Sequence, residues 1–171
     1  MNWNRFIFLF LITALFGSIA AGQATKQSIV HEQTVFGSDD DKWDRPVPVQ
    51  EAVLQILKEA NHASASEFSA GSLLASEIRL NGSKEVDLVL MGIGKLGLAH
   101  AALFWIFRNT SQGYKLVLSP GGDSLRILDS RWNHFQMVKV QNNTAITTTT
   151  AAYRFNGREY QLYSKKTKPI E

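Results

Sequence analysis

The sequence predicts an α+β protein: one amphipathic N-terminal helix packed on an antiparallel meander sheet of about six to eight strands. Three observations carry this expectation. One segment, from Val49 to Ala60, repeats apolar residues at helical spacing. From Ser72 onward the chain is a series of short β-prone runs separated by Gly, Asn and Pro turns. The densest apolar block beyond the N-terminal apolar run, Val86 to Leu118, contains a run that is apolar on both of its alternating faces.

The N-terminus reads as an export signal. Arg5 is the lone positive charge ahead of an apolar run from Phe6 to Phe16, too short for the roughly 20 apolar residues of a spanning helix. Small residues follow at Gly17, Ser18, Ala20, Ala21, Gly22 and Ala24, and the pairs Ser18/Ala20, Ala20/Gly22 and Gly22/Ala24 each suit signal peptidase. Residues 1–22 are therefore expected to be a cleaved signal, 23–48 an extended arm, and 49–171 one α+β domain. With no cysteine in the chain, an exported core must form without disulfides, which points to a bacterial periplasm or secreted protein. The formal charge of +3 falls by one with Arg5, and the cations are scattered along the chain without a basic stripe interleaved with aromatics. The composition thus predicts solubility and no nucleic-acid partner.

The arm contains an acid run and two prolines in Ser38 to Val49, with Val35, Phe36 and Trp43 as docking points onto the domain. Asp39, Asp40 and Asp41 are adjacent, whereas calcium loops space their ligands around a sharp glycine turn, so no metal is expected there. Pro48 is suited to open the helix, because its missing N–H would lack a partner there anyway. Val49, Ala52, Val53, Ile56, Leu57 and Ala60 then form one stripe, and the helix ends near Asn61.

The strand runs follow in order. Leu73–Leu80 and Val86–Ile93 flank the turn Asn81-Gly82-Ser83. Ala101–Asn109 and Tyr114–Ser119 flank a second turn. Pro120-Gly121-Gly122 breaks the chain before Ser124–Trp132, Phe135–Val140, Ala145–Phe155 and Glu159–Lys165. Leu103, Trp105 and Phe107 share one face and Phe104, Ile106 and Arg108 the other, so this strand is expected to be central and covered on both sides. The helix covers one face; the arm or a curl of the sheet must cover the other. Asn156-Gly157 predicts a two-residue type I′ hairpin turn, and the threonines at 147–150 an edge strand kept soluble by hydroxyls.

Gly92-Ile93-Gly94-Lys95-Leu96-Gly97 matches the G-x-G-x-x-G pattern that lets a backbone approach a pyrophosphate at a helix N-terminus. The segment behind it is short and aromatic, and no β-α-β alternation follows. A glycine-rich loop between adjacent strands is the expectation, with no cofactor. His31, His62, His100 and His134 lack metal-ligand spacing. Glu85 and Asp87 stand two apart and read as a solvated sheet edge rather than an acid/base couple. Trp132-Asn133-His134 reads as an Asn-containing turn beside a core tryptophan, with a ligand patch as the functional alternative.

The segment SEIRLNGSKEVDLVLMG resembles a degenerate form of the D-L-N-G-D-G-x-x-E-L-V element of FG-GAP-like proteins, whose loop acids bind calcium. Together with FWIFRNTSQGYKLVL, ILDSRWNHFQMVKV and YRFNGREYQLY it resembles a group of uncharacterised bacterial exported proteins, over roughly Leu73 to Tyr163. The resemblance implies a hairpin and no established activity. It implies no calcium site, because Arg79, Asn81 and Ser83 stand where the loop needs acids and Asp87 is left at the closing position.

The expected function is a non-enzymatic binding or interaction module, with aromatics near loops (Trp43, Tyr114, Trp132 and Tyr163) and His134 as its binding residues and a periplasmic protein as partner. An inhibitor or immunity protein against a cell-wall hydrolase is one form of it. An envelope hydrolase using Glu85, Asp87, His100 or His134 is the alternative from another class.

Overall fold

The computed structural model describes residues 33–37, 43–61, 68–96 and 101–170. The expected signal, the Asp39–Asp41 run, His31, His62 and His100 lie outside them. The architecture is mostly β: two antiparallel sheets of five strands each and, among the described residues, one α-helix. The strands are β1 (Val35–Gly37), β2 (Leu73–Ile78), β3 (Asp87–Gly92), β4 (Ala102–Thr110), β5 (Gly113–Leu118), β6 (Gly121–Gly122), β7 (Ser124–Trp132), β8 (Phe135–Asn143), β9 (Thr147–Phe155) and β10 (Tyr160–Pro169). The helix α1 spans Glu51–Asn61. The expected single meander is thus two, β2-β3-β4-β5 and β7-β8-β9-β10, with β1 added to the edge of the second and β6 paired to β4 in the first. Nor is the helix the first element, since β1 precedes it.

The split falls at Pro120-Gly121-Gly122. Gly121 and Gly122 pair with Leu103 and Ala102, and the Phe104 N–H donates to the Pro120 carbonyl. One residue later the Asp123 N–H donates to the Gln141 carbonyl of the other sheet. Gly122 is where the two sheets come closest along the chain. A Cβ there would lie 2.5 Å from Val140 Cγ1 and 2.9 Å from the Gln141 carbonyl oxygen, so only glycine fits.

Period-two alternation sends the side chains of the first sheet into two cores. Leu88, Leu90, Trp105 and Phe107 pack with Val53, Leu54 and Leu57 of α1 and with Phe68. Val89, Met91, Phe104 and Ile106 pack against Leu125, Ile127, Val138 and Val140 of the second sheet. The expectation that β4 is covered on both sides holds, and the second cover is a sheet, joined by Phe36 and Trp43 of the arm. Phe36 and Trp43 therefore belong to the core rather than docking on it from outside, whereas Val35, the third expected docking point, is 41% exposed.

The helix begins later than Pro48. The Gln50 carbonyl accepts the Val53 and Leu54 N–H groups, while Val47 is held by its N–H to the Ala75 carbonyl, 2.8 Å, outside any helix. Its buried face is Val53, Leu54 and Leu57; Ala52 and Ala60 of the expected stripe are exposed. Larger side chains bury more apolar area, so the helix turns its leucines inward and its alanines out. Asn61 closes it by donating its side-chain N–H to the Leu57 carbonyl.

The glycine motif also finds its place. Behind Gly92 comes a short 3₁₀ turn, Gly94–Leu96, and then β4. A Cβ on Gly92 would lie 2.8 Å from that of Leu96, and Gly94 has φ +60°. Both glycines have local backbone reasons; Gly97 lies outside the described residues, and the next described element is the strand β4. One turn expectation is corrected, and the expected turn at Asn133-His134 is present, though beside an exposed rather than a core tryptophan. The loop at Asn156–Glu159 has four residues between Phe155 and Tyr160, knitted by Asn156 Oδ1 accepting the Arg158 and Glu159 N–H groups. The two-residue turn with both φ positive is Asn133-His134, at 48° and 68°, between the paired Trp132 and Phe135. The threonine-rich strand β9 is not an edge; it lies between β8 and β10, and Thr149 shares a hydroxyl contact with Thr167 across that pairing.

Candidate binding surface

Turns of both sheets meet at one end of the molecule. The Gln136 N–H donates to the Leu80 carbonyl at 2.7 Å, tying the β7–β8 hairpin to the loop after β2. The Asn133 side chain donates to the Phe155 carbonyl, and the Tyr160 hydroxyl donates to the Gln136 carbonyl at 2.7 Å. These bonds join the β9–β10 hairpin to its neighbour.

Beneath this end lies a buried polar group. Asp87 is 2% exposed; its Oδ2 accepts the Leu80 N–H and its Oδ1 the Asn109 N–H. Burial pushes its carboxyl above the ordinary 3.8, against the pull of those two donors and of Arg108. The Arg108 guanidinium lies over the Phe135 ring at 4.5 Å and the Phe155 ring at 5.5 Å. Burial and the Asp87 charge raise the Tyr160 hydroxyl, with Arg108 opposing. Asp87 is thus committed to holding backbone, not solvated at a sheet edge as the sequence suggested. Glu85 is exposed, so the two carboxylates do not share one environment.

On the outward side Arg154 is half-buried, its guanidinium 4.5 Å from the centre of the Trp132 ring and 4.9 Å from that of Tyr163. A β-bulge produces this meeting. The β9–β10 register slips between Leu162 and Ser164, leaving Tyr163 as the extra residue. Trp132 remains 46% exposed and Tyr163 58%, so each ring keeps area free for a partner.

Of the residues expected to bind, the structure brings Trp132 and Tyr163 together, with His134 exposed in the adjoining turn. It does not bring Trp43 or Tyr114 to them. Trp43 is 5% exposed, packs on Phe36 at 5.0 Å and donates its indole N–H to the Gly37 carbonyl; it is a core residue with no surface to offer. Tyr114 is half-buried against the helix-side core, its hydroxyl raised by burial and by Glu77.

Sequence reasoning missed Arg154 and the cations around it. On the face of the second sheet opposite the core, register places Val35, Arg126 and Lys139 in one row and Ser124, Gln141, Thr150 and Lys166 in the next. Asn143, Thr148 and Lys168 form a third. The cations are scattered only along the chain; the fold gathers them. The spacing of Lys166 and Lys168 by two was the one local sign of a shared face. Val35, Ser124, Arg126, Lys139 and Gln141 line a shallow depression of about 100 Å³, well below the roughly 300 Å³ at which pockets begin to enclose a small molecule. Among the described residues no group of three or more His, Cys, Asp or Glu is placed to hold a metal ion.

Fold and surface together define an α+β protein with two stacked antiparallel sheets, one α-helix among the described residues, and an open, cationic, aromatic-flanked sheet face. No protein-family model, curated protein or solved structure matches the chain.

Proposed function

We propose that this protein is an exported, non-enzymatic binding module of the bacterial cell envelope, and that it recognises its partner with the outward face of the second sheet around Trp132, Arg154 and Tyr163. The observation that carries this reading is the pair of exposed rings held on one guanidinium. Aromatic and arginine side chains dominate interface energies, and these two rings are positioned before any partner arrives. The open face offers no enclosure for chemistry on a small molecule, and Asp87 is already occupied by two backbone donors.

The test compares the parent protein with the double variant W132A/Y163A in affinity capture from a bacterial envelope fraction containing soluble periplasmic proteins and wall polymers. The same component should be retained by the parent in replicate captures and lost with the variant. Equal retention by both, or no reproducible retention by the parent, overturns the reading.

A further inference from the structure

We propose that the outward face of the second sheet binds an acidic polysaccharide, with its carboxylates against Arg126, Lys139, Lys166 and Lys168 and a sugar ring against Trp132 or Tyr163. The proposal rests on the binding role argued above and names its ligand class.

The first argument is an unbalanced charge. Arg126 and Lys139 are register partners on neighbouring strands. Like charges directly opposite one another destabilise a sheet. Neither forms an ion pair among the described residues, and neither do Lys166 and Lys168. The three registered rows carry no acidic side chain. Asp123, at the head of β7, is engaged by the Asn143 N–H. Among the described residues the fold supplies this juxtaposition with no counter-charge, which leaves the face complementary to an anionic ligand.

The second argument is the spacing. Strands lie about 4.8 Å apart and same-face residues along a strand about 6.7 Å apart. The cations therefore sit on a two-dimensional grid crossing four strands. A single small anion engages one grid point, whereas a polymer with a charge on each repeat engages several at once.

The third is what lies between the cations. Ser124, Gln141, Thr150, Asn143 and Thr148 offer hydroxyl and amide groups, which suit a polyhydroxylated chain. Single-stranded nucleic acid is bound on a succession of aromatic faces along a basic track. Here both exposed rings stand at one end, beside Arg154. An anionic bilayer asks for apolar side chains to insert, and Val35 is the one large exposed hydrophobic in the rows.

The experiment titrates the full chain with polygalacturonate, following tryptophan emission and heat. Neutral dextran, poly(dT) and phosphatidylglycerol vesicles are the other arms. Polygalacturonate should bind, dextran should not, and R126A/K139A should weaken binding by about tenfold or more, as should raising salt from about 0.1 M to about 1 M. Without polymer, R126A/K139A should melt no lower than the parent, which separates lost binding from lost folding. Unchanged affinity in R126A/K139A, no binding of polygalacturonate, or tighter binding to poly(dT) or vesicles overturns the proposal. W132A/Y163A separates the two readings. Polygalacturonate binding that is lost in R126A/K139A but unchanged in W132A/Y163A upholds the ligand class and removes the aromatic site. Envelope capture that depends on the two rings, with polygalacturonate inert, does the reverse.

Discussion

The Arg154 guanidinium lies 4.5 Å from the centre of the Trp132 ring, although the two residues sit on strands separated by β8. The same group reaches the Tyr163 ring at 4.9 Å, so one cation orients both exposed aromatics. R154A should lower stability by about 1 kcal/mol, since an exposed cation–π contact contributes about 0.5–1 kcal/mol. R154K should recover part of this, because a compact ammonium cannot lie flat between two rings. Urea denaturation measures the change.

Asp87 gives a pH-dependent prediction. Its carboxyl accepts two backbone N–H groups, and an asparagine can accept with only one of its two head atoms. D87N should therefore cost about 1–3 kcal/mol. Because burial raises the folded carboxyl above 3.8, the folded state binds more protons than the unfolded state between 3.8 and that raised value. Stability linked to Asp87 therefore falls as pH rises through the window and is fully present below it. The deficit of D87N should be widest in acid and narrow toward neutrality, as read from denaturant midpoints across pH. A deficit that widens as pH rises contradicts this.

His134 occupies φ 68° in a two-residue turn where glycine is the favoured residue. H134G should stabilise the protein by about 1 kcal/mol, the cost an L-residue bears in that region. A melting curve shows it. A loss of stability would mean that the exposed imidazole makes a contact worth more than the backbone strain.

At the crossover, G122A places a methyl against Val140 and the Gln141 carbonyl. Overpacking typically costs about 1–3 kcal/mol, and a backbone oxygen cannot move aside as a side chain can. G122A should fall at or above the top of that range. V140A added to it should recover only part, because the clash with the Gln141 carbonyl remains. Chemical denaturation of the single and double variants checks both statements.

Much of the core was legible locally. The two-faced run Phe104 to Phe107 announced a strand covered on both sides, because alternation is a property of the backbone alone. The helix was legible in existence but not in rotation, since Leu54 and the alanines competed for the same face and only packing chose between them. The turn at Asn156-Gly157 was misjudged, because the Asn156 side chain bonds two successive backbone N–H groups and stabilises a longer loop. Trp43 looked like a surface anchor because it stands among charges and prolines; Phe36, seven residues earlier, draws it into the core.

By itself the sequence determined the alternation of strands and turns, the apolar character of both faces of β4, the helix after Pro48 and the chain break at Pro120-Gly121-Gly122. These depend on neighbours along the chain. Only the tertiary structure decided that one meander becomes two sheets, and that Arg126 faces Lys139 while Arg154 lies between Trp132 and Tyr163. Those relations depend on register, which the Asn133-His134 turn, a register shift between Ile127 and Arg131 and the bulge at Tyr163 set. Coulomb forces and ring contacts act through space between residues that the chain keeps far apart.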